Sequence, residues 1–199
     1  MTLERTIAQI KFPVLTVVKR GLLDTYRMHQ YLMELFPEVK PLIWHRDPVG
    51  PREVQLTLVA GGTLEPKTRD AMQILTKPIS ESFLSRPRYR FSVRLSTERQ
   101  KWGDKKRSPV PDAELMSFFE GRAPKWGFAP EDVVIEQSGI DSFIRRKKGA
   151  HTGLVELKFA EYSGLLTVTD AELFRQSVLE GVGHHKAFGF GLLRVVPVE

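Results

Sequence analysis

The chain has 199 residues, 41% of them hydrophobic, and its 30 Lys and Arg against 24 Asp and Glu give a net charge of +6. This hydrophobic fraction is enough for a packed core in one or two domains. No apolar run reaches the ~18 residues of a membrane span, the first residues lack the apolar region of a signal peptide, and the absence of cysteine excludes disulfides, thiolate metal sites and a cysteine nucleophile. We therefore expect a cytoplasmic globular protein that does not associate with a membrane.

The positive charge is concentrated in one segment. Between Arg86 and Arg107 there are nine Lys and Arg residues and two acids, Glu98 and Asp104, so this segment carries a net charge of +7 and the remainder is close to neutral. Such clustering is typical of a surface that binds a polyanion. An ordinary solvated basic face is the alternative interpretation.

The first half of the sequence predicts strands and helices in the order strand, helix, strand, strand, helix, strand. A helix capped by Asp24 has an apolar stripe at helical spacing that ends before Pro37, and Tyr26 and His29 lie together on the flank of that stripe because they are three residues apart. The predicted strands are Ile7–Phe12, Val14–Val18, Leu42–Arg46, Val54–Leu58 and Tyr89–Leu95, with a weaker helix over Thr68–Leu75. Together they form a βαββαβ string that ends near residue 96.

The second half repeats this order after a charged, proline-containing linker, Ser96–Pro111. A helix capped by Asp170 precedes the last strand. The other predicted elements are a capped helix over Asp112–Glu120, strands over Val133–Gln137, Ser142–Arg145, Val155–Phe159, Leu165–Thr169 and Leu192–Val196, and a hairpin tip at Gly149–Gly153. The sequence therefore predicts an α+β protein made of two tandem ferredoxin-like domains with antiparallel sheets, residues 1–96 and 97–199.

A glycine-rich loop lies between the last helix and the last strand. Gly181, Gly183, Gly189 and Gly191 surround the basic run of His184, His185 and Lys186. Glycine is used where a positive φ or a close approach to the main chain is needed, so the loop suggests an anionic partner. The order helix, loop, strand excludes a dinucleotide fingerprint, in which the glycines follow a strand and precede a helix. The alternative is a mobile turn that binds nothing.

Three segments resemble a known family. The C-terminal run from Gly164 to Asp170, followed by the loop from Gly181 to Leu193, is similar to the C-terminal signature of the CRISPR repeat-processing endoribonucleases of the CasE type, within the RAMP superfamily. The segment Tyr26–Pro37 resembles the helix that carries that family's catalytic histidine. Lys105–Pro111, with Trp126–Phe128 after it, also fits, so the resemblance covers the whole chain.

This resemblance implies a metal-independent endoribonuclease without a cofactor. Such an enzyme cuts CRISPR precursor RNA at the base of the repeat stem-loop and remains with the guide RNA in a Cascade-type surveillance complex. Its nucleophile is the 2′-OH of the RNA, so the protein must transfer protons and stabilise the phosphorane, and a histidine suits either proton transfer. The resemblance identifies His29 as the catalytic residue, and Tyr26, one turn earlier, is placed to hydrogen-bond the phosphate.

Basic residues outside that helix are candidates for RNA binding. The hairpin residues Arg145, Arg146, Lys147 and Lys148, with Lys158 on the returning strand, suit the phosphates of an A-form stem. The other candidates are Lys105, Lys106 and Arg107 and, in the glycine loop, Gly181, Gly183, His184, His185, Lys186 and Gly189. We also expect the glycine loop to lie at the domain interface and to face the helix of His29.

Two functions of other classes fit parts of the sequence. The run Lys186–Gly191 is close to the RNP1 pattern, which would make the chain a non-catalytic RNA-binding module, although alanine replaces the glycine of that pattern and the run lies on the last strand rather than the third. The sequence favours burial of Phe188 and Phe190 as strand core. A purely architectural subunit of a ribonucleoprotein complex would have the same fold and an inactive His29. No spacing of histidines or carboxylates completes a metal site, and none is expected.

Overall fold

The computed structural model describes residues 5–40, 42–62, 64–67, 72–100, 107–145 and 153–198, without the side chain of Arg145. The helices are α1 (Val14–Arg20), α2 (Thr25–Leu35), α3 (Glu81–Leu84), α4 (Leu115–Glu120) and α5 (Ala171–Glu180). The strands are β1 (Arg5–Pro13), β2 (Leu42–Arg46), β3 (Glu53–Gly61), β4 (Gln73–Pro78), β5 (Arg88–Ser96), β6 (Glu98–Gln100), β7 (Arg107–Pro109), β8 (Phe128–Arg145), β9 (Gly153–Val168) and β10 (Arg194–Pro197). None of the described helices is long and apolar enough to cross a membrane.

Two four-stranded sheets form the framework. Their strand orders are β2-β3-β1-β4 and β10-β5-β9-β8, and every pairing within them is antiparallel. If the four strands of each sheet are numbered along the chain, both sheets have the order four, one, three, two. This is the order of a βαββαβ ferredoxin-like unit, so the predicted α+β class and the tandem ferredoxin-like fold are confirmed.

One strand belongs to a different sheet from the one predicted. The sequence analysis placed Tyr89–Leu95 last in the first sheet, but β5 pairs with β9 and β10 in the second. The fourth strand of the first sheet is β4, an edge strand paired with β1, in a segment predicted as helix; residues 68–71 lie outside the described residues. The helix prediction for residues 73–75 is therefore wrong, because an exposed edge strand such as β4 has no buried alternation to identify it.

The domain boundary at residues 96 and 97 remains a prediction, and sheet membership favours a boundary between Pro78 and Arg88.

The predicted strand Val14–Val18 is also wrong, because these residues form α1. The backbone N–H of Val14 bonds to Arg52 O at 2.9 Å, and the helix ends at Gly21, which has a φ of 65° and a backbone N–H bonded to Val17 O and Val18 O. Valine is common in strands, but this short helix buries only Val17. Packing of Val17 outweighs the weak local preference of valine for strands.

Four strands predicted in the second half are two long ones. β8 and β9 pair antiparallel from Phe128 with Val168 to Arg145 with Gly153, with register shifts at Glu131/Val134 and at Ile135/Gln137. The shifts lie before and within the predicted strand Val133–Gln137, whereas the gaps between the predicted strands contain Gly139 and Gly164, and glycine weakens a strand pattern. The predicted linker contains the β6–β7 hairpin, and the predicted helix after it begins as a 3-10 turn, Asp112–Glu114, without a side-chain cap. The predicted tip at Gly149–Gly153 lies largely outside the described residues.

His45 is buried where the two sheets approach each other. On β2 it is only 3% exposed, and Arg194 of β10 donates to Asp47 Oδ1 at 2.8 Å beside it. Burial, followed by the positive charges of Arg194, Arg94 and Arg46, lowers the pKa of His45 to about 3. His45 is thus neutral in the folded protein across the physiological range, and its place on β2 is structural.

Acidification should therefore weaken the fold through His45. The unfolded imidazole takes up its proton near its ordinary pKa of 6.5 and the folded one only near 3, so stability falls as the pH drops from about 6.5. At about pH 5 this residue alone should cost about 2 kcal/mol. Urea unfolding above pH 6.5 and at about pH 5 measures the loss of unfolding free energy. His45→Gln should remove it and His184→Gln, at an exposed site, should retain it; an equal loss in both variants would assign the pH dependence to other groups.

Candidate active site

Helix α2 presents Tyr26 and His29 on one flank, as predicted. Asp24 caps the helix by accepting a hydrogen bond from the Arg27 backbone N–H at 2.8 Å. The opposite stripe is buried in the first core and includes Met28, Leu32 and Leu35. Because that stripe fixes the rotation of the helix, Tyr26 and His29 are both half-buried beside it.

The glycine loop packs against this flank. Helix α5 ends at Gly181, and the loop contains a 3-10 turn, Lys186–Phe188. The ring of Phe188 meets His29 edge-on, with 5.7 Å between centroids, and lies 6.3 Å from Tyr26 and 4.9 Å from Phe143. Tyr26 also stacks on Phe143 at 6.0 Å. The prediction that the loop faces the helix of His29 is confirmed.

Close packing inside the chain accounts for two of the loop glycines. Gly191 has a φ of 79°, and a Cβ there would lie 2.1 Å from Val182 O. Gly189, also at 79°, lies against the ring of Trp44, whose Nε1–H donates to Ala187 O at 2.9 Å. These glycines therefore fix the loop to the rest of the protein, and the interpretation of a mobile turn does not fit.

Arg94 of β5 connects the loop to α2. Its backbone carbonyl accepts from the Gly191 N–H at 2.7 Å, and its guanidinium donates to Asp141 Oδ2 on β8 at 3.3 Å. The same carboxylate oxygen accepts from the Thr25 hydroxyl at the start of α2, at 3.1 Å. The guanidinium also lies over the ring of Phe159, 3.8 Å from its centroid. One side chain thus joins the helix, the long strand and the loop.

Sequence reasoning did not find this connection. The alternation of Tyr89–Leu95 places Arg94 on the polar face of its strand, but nothing in the sequence pairs it with a carboxylate 47 residues later. Asp141 and Thr25 carry no motif. The sequence shows only that Arg94 and Asp141 each lie next to apolar residues in their strands. That pattern is too common to identify a pair.

His29 has the protonation state of a base. Burial lowers the pKa of its imidazole below the ordinary value of 6.5, so at neutral pH most of the molecules carry neutral His29. A neutral imidazole can accept a proton, and the phenol of Tyr26 beside it can donate a hydrogen bond. The described residues contain no group of three or more His, Asp or Glu side chains placed to hold a metal ion.

The basic residues of the loop have partners within the protein. His185, at a φ of 60°, places Nε2 3.1 Å from Glu98 Oε2. Lys186 donates to the carbonyl of Glu180 at the end of α5, at 2.8 Å, where a cation is favourable. His184 is exposed and has no hydrogen-bond or ion-pair partner among the described residues. Lys186 therefore stabilises the helix terminus and is not directed at His29.

The remaining predicted RNA-binding residues are paired elsewhere, exposed, or outside the described residues. Lys158 pairs with Asp112 at 2.6 Å, and Arg107 is exposed on β7. Lys105, Lys106, Arg146, Lys147, Lys148 and the side chain of Arg145 lie outside the described residues. Phe190 is fully buried, but Phe188 is half-buried in the 3-10 turn, so the expectation that both belong to strand core is wrong. The turn precedes β10, and its aromatic ring points to α2.

Comparison with known proteins establishes the family. A family described as CRISPR-associated protein matches residues 6–197. The chain belongs to this family. The CRISPR-associated endoribonuclease Cse3 of Thermus thermophilus is 25% identical over 209 residues, which cover 93% of this chain and 96% of Cse3. The resemblance stated from the sequence is thereby confirmed.

Solved structures show the same fold. A CRISPR endoribonuclease Cse3 bound to a 19-nucleotide RNA superposes with a TM-score of 0.80 at 24% identity, covering 98% of this chain and all of the other. A chain of a CRISPR RNA-guided surveillance complex superposes with a TM-score of 0.71 at 15% identity, covering 96% of this chain and all of the other. The tandem ferredoxin-like architecture is therefore shared at low sequence identity.

The contact between Phe188 and His29 should be measurable in this CRISPR-associated protein. Replacing Phe188 with Ala exposes the imidazole to water, so the pKa of His29 should rise toward 6.5. A titration followed by NMR of the histidine ring protons measures the change, with the exposed His184 as an internal reference that should not move. Phe188→Leu should give a smaller rise. An unchanged His29 pKa in Phe188→Ala would mean that neighbours on α2 alone cause its burial.

Proposed function

We propose that this CRISPR-associated protein is an endoribonuclease that cleaves CRISPR precursor RNA at the base of the repeat stem-loop to release guide RNAs. The observation that carries the proposal is the position of His29 and Tyr26, side by side on α2 and against Phe188 of the glycine loop. The similarity to the endoribonuclease Cse3 along nearly the whole chain supports it. A scissile phosphate in front of these two side chains would meet a proton acceptor and a hydroxyl donor.

The reaction that we assign to this site needs no water as nucleophile. Neutral His29 removes the proton from the 2′-OH next to the scissile phosphate, and the 2′-oxygen then forms a bond to phosphorus. The bond to the 5′-oxygen breaks, that oxygen takes up a proton from solvent, and His29 returns the proton from the 2′-OH to solvent. The products are a 2′,3′-cyclic phosphate on the upstream fragment and a 5′-OH on the downstream one. Tyr26 donates a hydrogen bond to the phosphate as its charge grows.

We further propose that the protein keeps its RNA product within a Cascade-type surveillance complex in the cytoplasm. A chain with the same fold occurs in a CRISPR RNA-guided surveillance complex, which supports this assembly. The predicted hairpin residues Arg145, Arg146, Lys147 and Lys148 stand in the sequence between the end of β8 and the start of β9. A cluster of cations of this kind suits the phosphates of an RNA stem, where recognition depends on shape and backbone.

Replacing His29 with Ala should separate cleavage from binding. One imidazole contributes little to a polyanion interface, so affinity for repeat RNA should stay within a few-fold, while cleavage should slow by about 10²–10⁴-fold, the usual contribution of a positioned acid or base. Single-turnover cleavage and filter binding measure both quantities. Gln30→Ala, at the exposed neighbouring position of the same helix, is the matched control and should cleave normally.

Two further conditions test the proposed mechanism. Wild-type cleavage should continue in EDTA, and an RNA with a single 2′-deoxy substitution before the scissile phosphate should bind and remain intact. Cleavage of that RNA would mean that water attacks and would require another mechanism. Binding without cleavage of unmodified RNA would favour the non-catalytic RNA-binding module, and neither binding nor cleavage the architectural subunit.

Charge on the hairpin should determine the salt dependence of binding. Replacing Arg145, Arg146, Lys147 and Lys148 with Ala should lower affinity for the stem-loop and reduce the slope of log affinity against log salt by about 0.7–0.9 for each lost phosphate contact. Fluorescence anisotropy across a salt series measures the slope. A control in which exposed Lys19, Lys40, Lys67 and Lys77 become Ala removes the same charge from the first sheet and its helices. If both sets of substitutions lowered the affinity and the salt slope equally, the hairpin residues would contribute only general surface charge.

A further inference from the structure

A basic groove is lined in part by the glycine loop that contacts His29. It has a volume of about 370 Å³ and is lined by the end of β5, by α4 with the turn that follows it, and by the loop at Gly183 and His184. Its charged or titratable side chains are Arg122, Lys125 and His184, and none of them pairs with a carboxylate among the described residues. The lining includes no acidic side chain. A groove with cations alone repels cationic ligands and attracts anions.

The nearby acids are already paired. Glu98 Oε2 lies 3.1 Å from His185, and Glu114 pairs with Arg99 at 2.7 Å. The guanidinium of Arg122 lies over the ring of Phe118, 3.7 Å from its centroid, and donates to Phe118 O at 3.3 Å, which holds it at the groove wall. Burial, the charges of Arg107 and His185 and that of Arg122 lower the pKa of His184, and Glu98 opposes them. Because its lowered pKa leaves His184 neutral at neutral pH, the positive charge of the groove comes from Arg122 and Lys125, which no carboxylate of the described residues neutralises.

A buried hydroxyl points to a ligand in this groove. Ser96, the last residue of β5, lines it and is 6% exposed, yet its Oγ has no hydrogen-bond partner among the described residues. Buried hydroxyls in proteins are nearly always hydrogen-bonded, and one without a partner is unfavourable. A phosphate oxygen at the bottom of the groove would accept from this hydroxyl while its charge meets Arg122 and Lys125.

We propose that this groove is a phosphate-binding site for single-stranded RNA that flanks the cleavage site, with Ser96, Arg122, Lys125 and His184 as its ligands. The inference rests on the proposed function for the identity of the chain that reaches it. Both sites share one loop, since His184 lines the groove and Phe188 contacts His29. Four residue steps of backbone span at most about 14 Å, so a strand of a few nucleotides that crosses the loop would reach both sites.

The test measures binding of an eight-nucleotide oligouridylate, which has phosphates and no stem, by fluorescence anisotropy across a salt series. Arg122→Gln combined with Lys125→Gln should weaken this binding on the order of tenfold at ~0.1 M salt and lower the salt slope by about 1.4, the value for two contacts to a single strand. The matched control, Lys40→Gln combined with Lys67→Gln, removes two exposed charges elsewhere and should change neither quantity. Lys125→Glu alone, at an exposed position that leaves Arg122 packed on Phe118, should weaken binding in the same direction.

Ser96→Ala should weaken binding by a few-fold without changing the salt slope, because it removes a hydrogen bond and no charge. Equal oligouridylate binding by wild type and by both groove variants overturns the site. The same loss in the control pair would also overturn it, because charge anywhere on the surface would then suffice. If wild type neither binds nor cuts repeat RNA but binds oligouridylate through the groove, the proposed function fails and the groove remains a single-strand site.

Discussion

The arrangement of the candidate site depends on Arg94, because this residue joins parts that the chain builds separately. Its carbonyl holds Gly191 of the glycine loop, and its guanidinium holds Asp141, which in turn accepts from Thr25 at the start of α2. Burial lowers the pKa of the Arg94 guanidinium, whereas Asp141 and Glu161 raise it. Removing one member of such a buried pair leaves an uncompensated charge and costs about 3–5 kcal/mol, whereas a well-packed apolar replacement of the pair would cost little. Stability alone therefore does not require it, and we infer that its contribution is to position α2 against the loop.

The position of α2 against the loop matters because α2 lies between strands of the first sheet in the chain, whereas the loop leads into β10 of the second sheet. A catalytic group must be held within a fraction of an ångström of its productive position, and side chains on a helix are more precisely placed than those on a free loop. Here the helix is fixed by its core stripe, while the loop is fixed by Trp44, Gly189 and the hydrogen bond to Arg94. Phe188 then fills the space between them and lowers the polarity around His29. Burial lowers the pKa of His29, and the ring of Phe188 from the loop is one of the groups that lie against it.

Some of this structure follows from the sequence and some does not, for physical reasons. The caps of Asp24 and Asp170 and the helices after them depend on contacts within a few residues, so local patterns predict them. The sheet membership of β5 depends on pairing with strands that lie far away in the sequence, and no local pattern encodes it. The same distinction applies to the site. His29 is a candidate because a motif surrounds it, whereas Ser96 and Arg122 become candidates only when the fold brings them to His184.

The glycine loop illustrates how one sequence feature can have several causes. Its glycines suggested an open backbone that waits for an anion, but Gly189 and Gly191 are required by contacts with Trp44 and Val182. Of the three basic residues between Gly183 and Gly189, Lys186 binds the end of α5 and His185 lies beside Glu98, which leaves His184 facing the groove. The loop is therefore held by contacts within the chain, with His184 at the groove and the ring of Phe188 against His29. A loop held in this way keeps the separation of the two sites constant, which a flexible phosphate loop would not do.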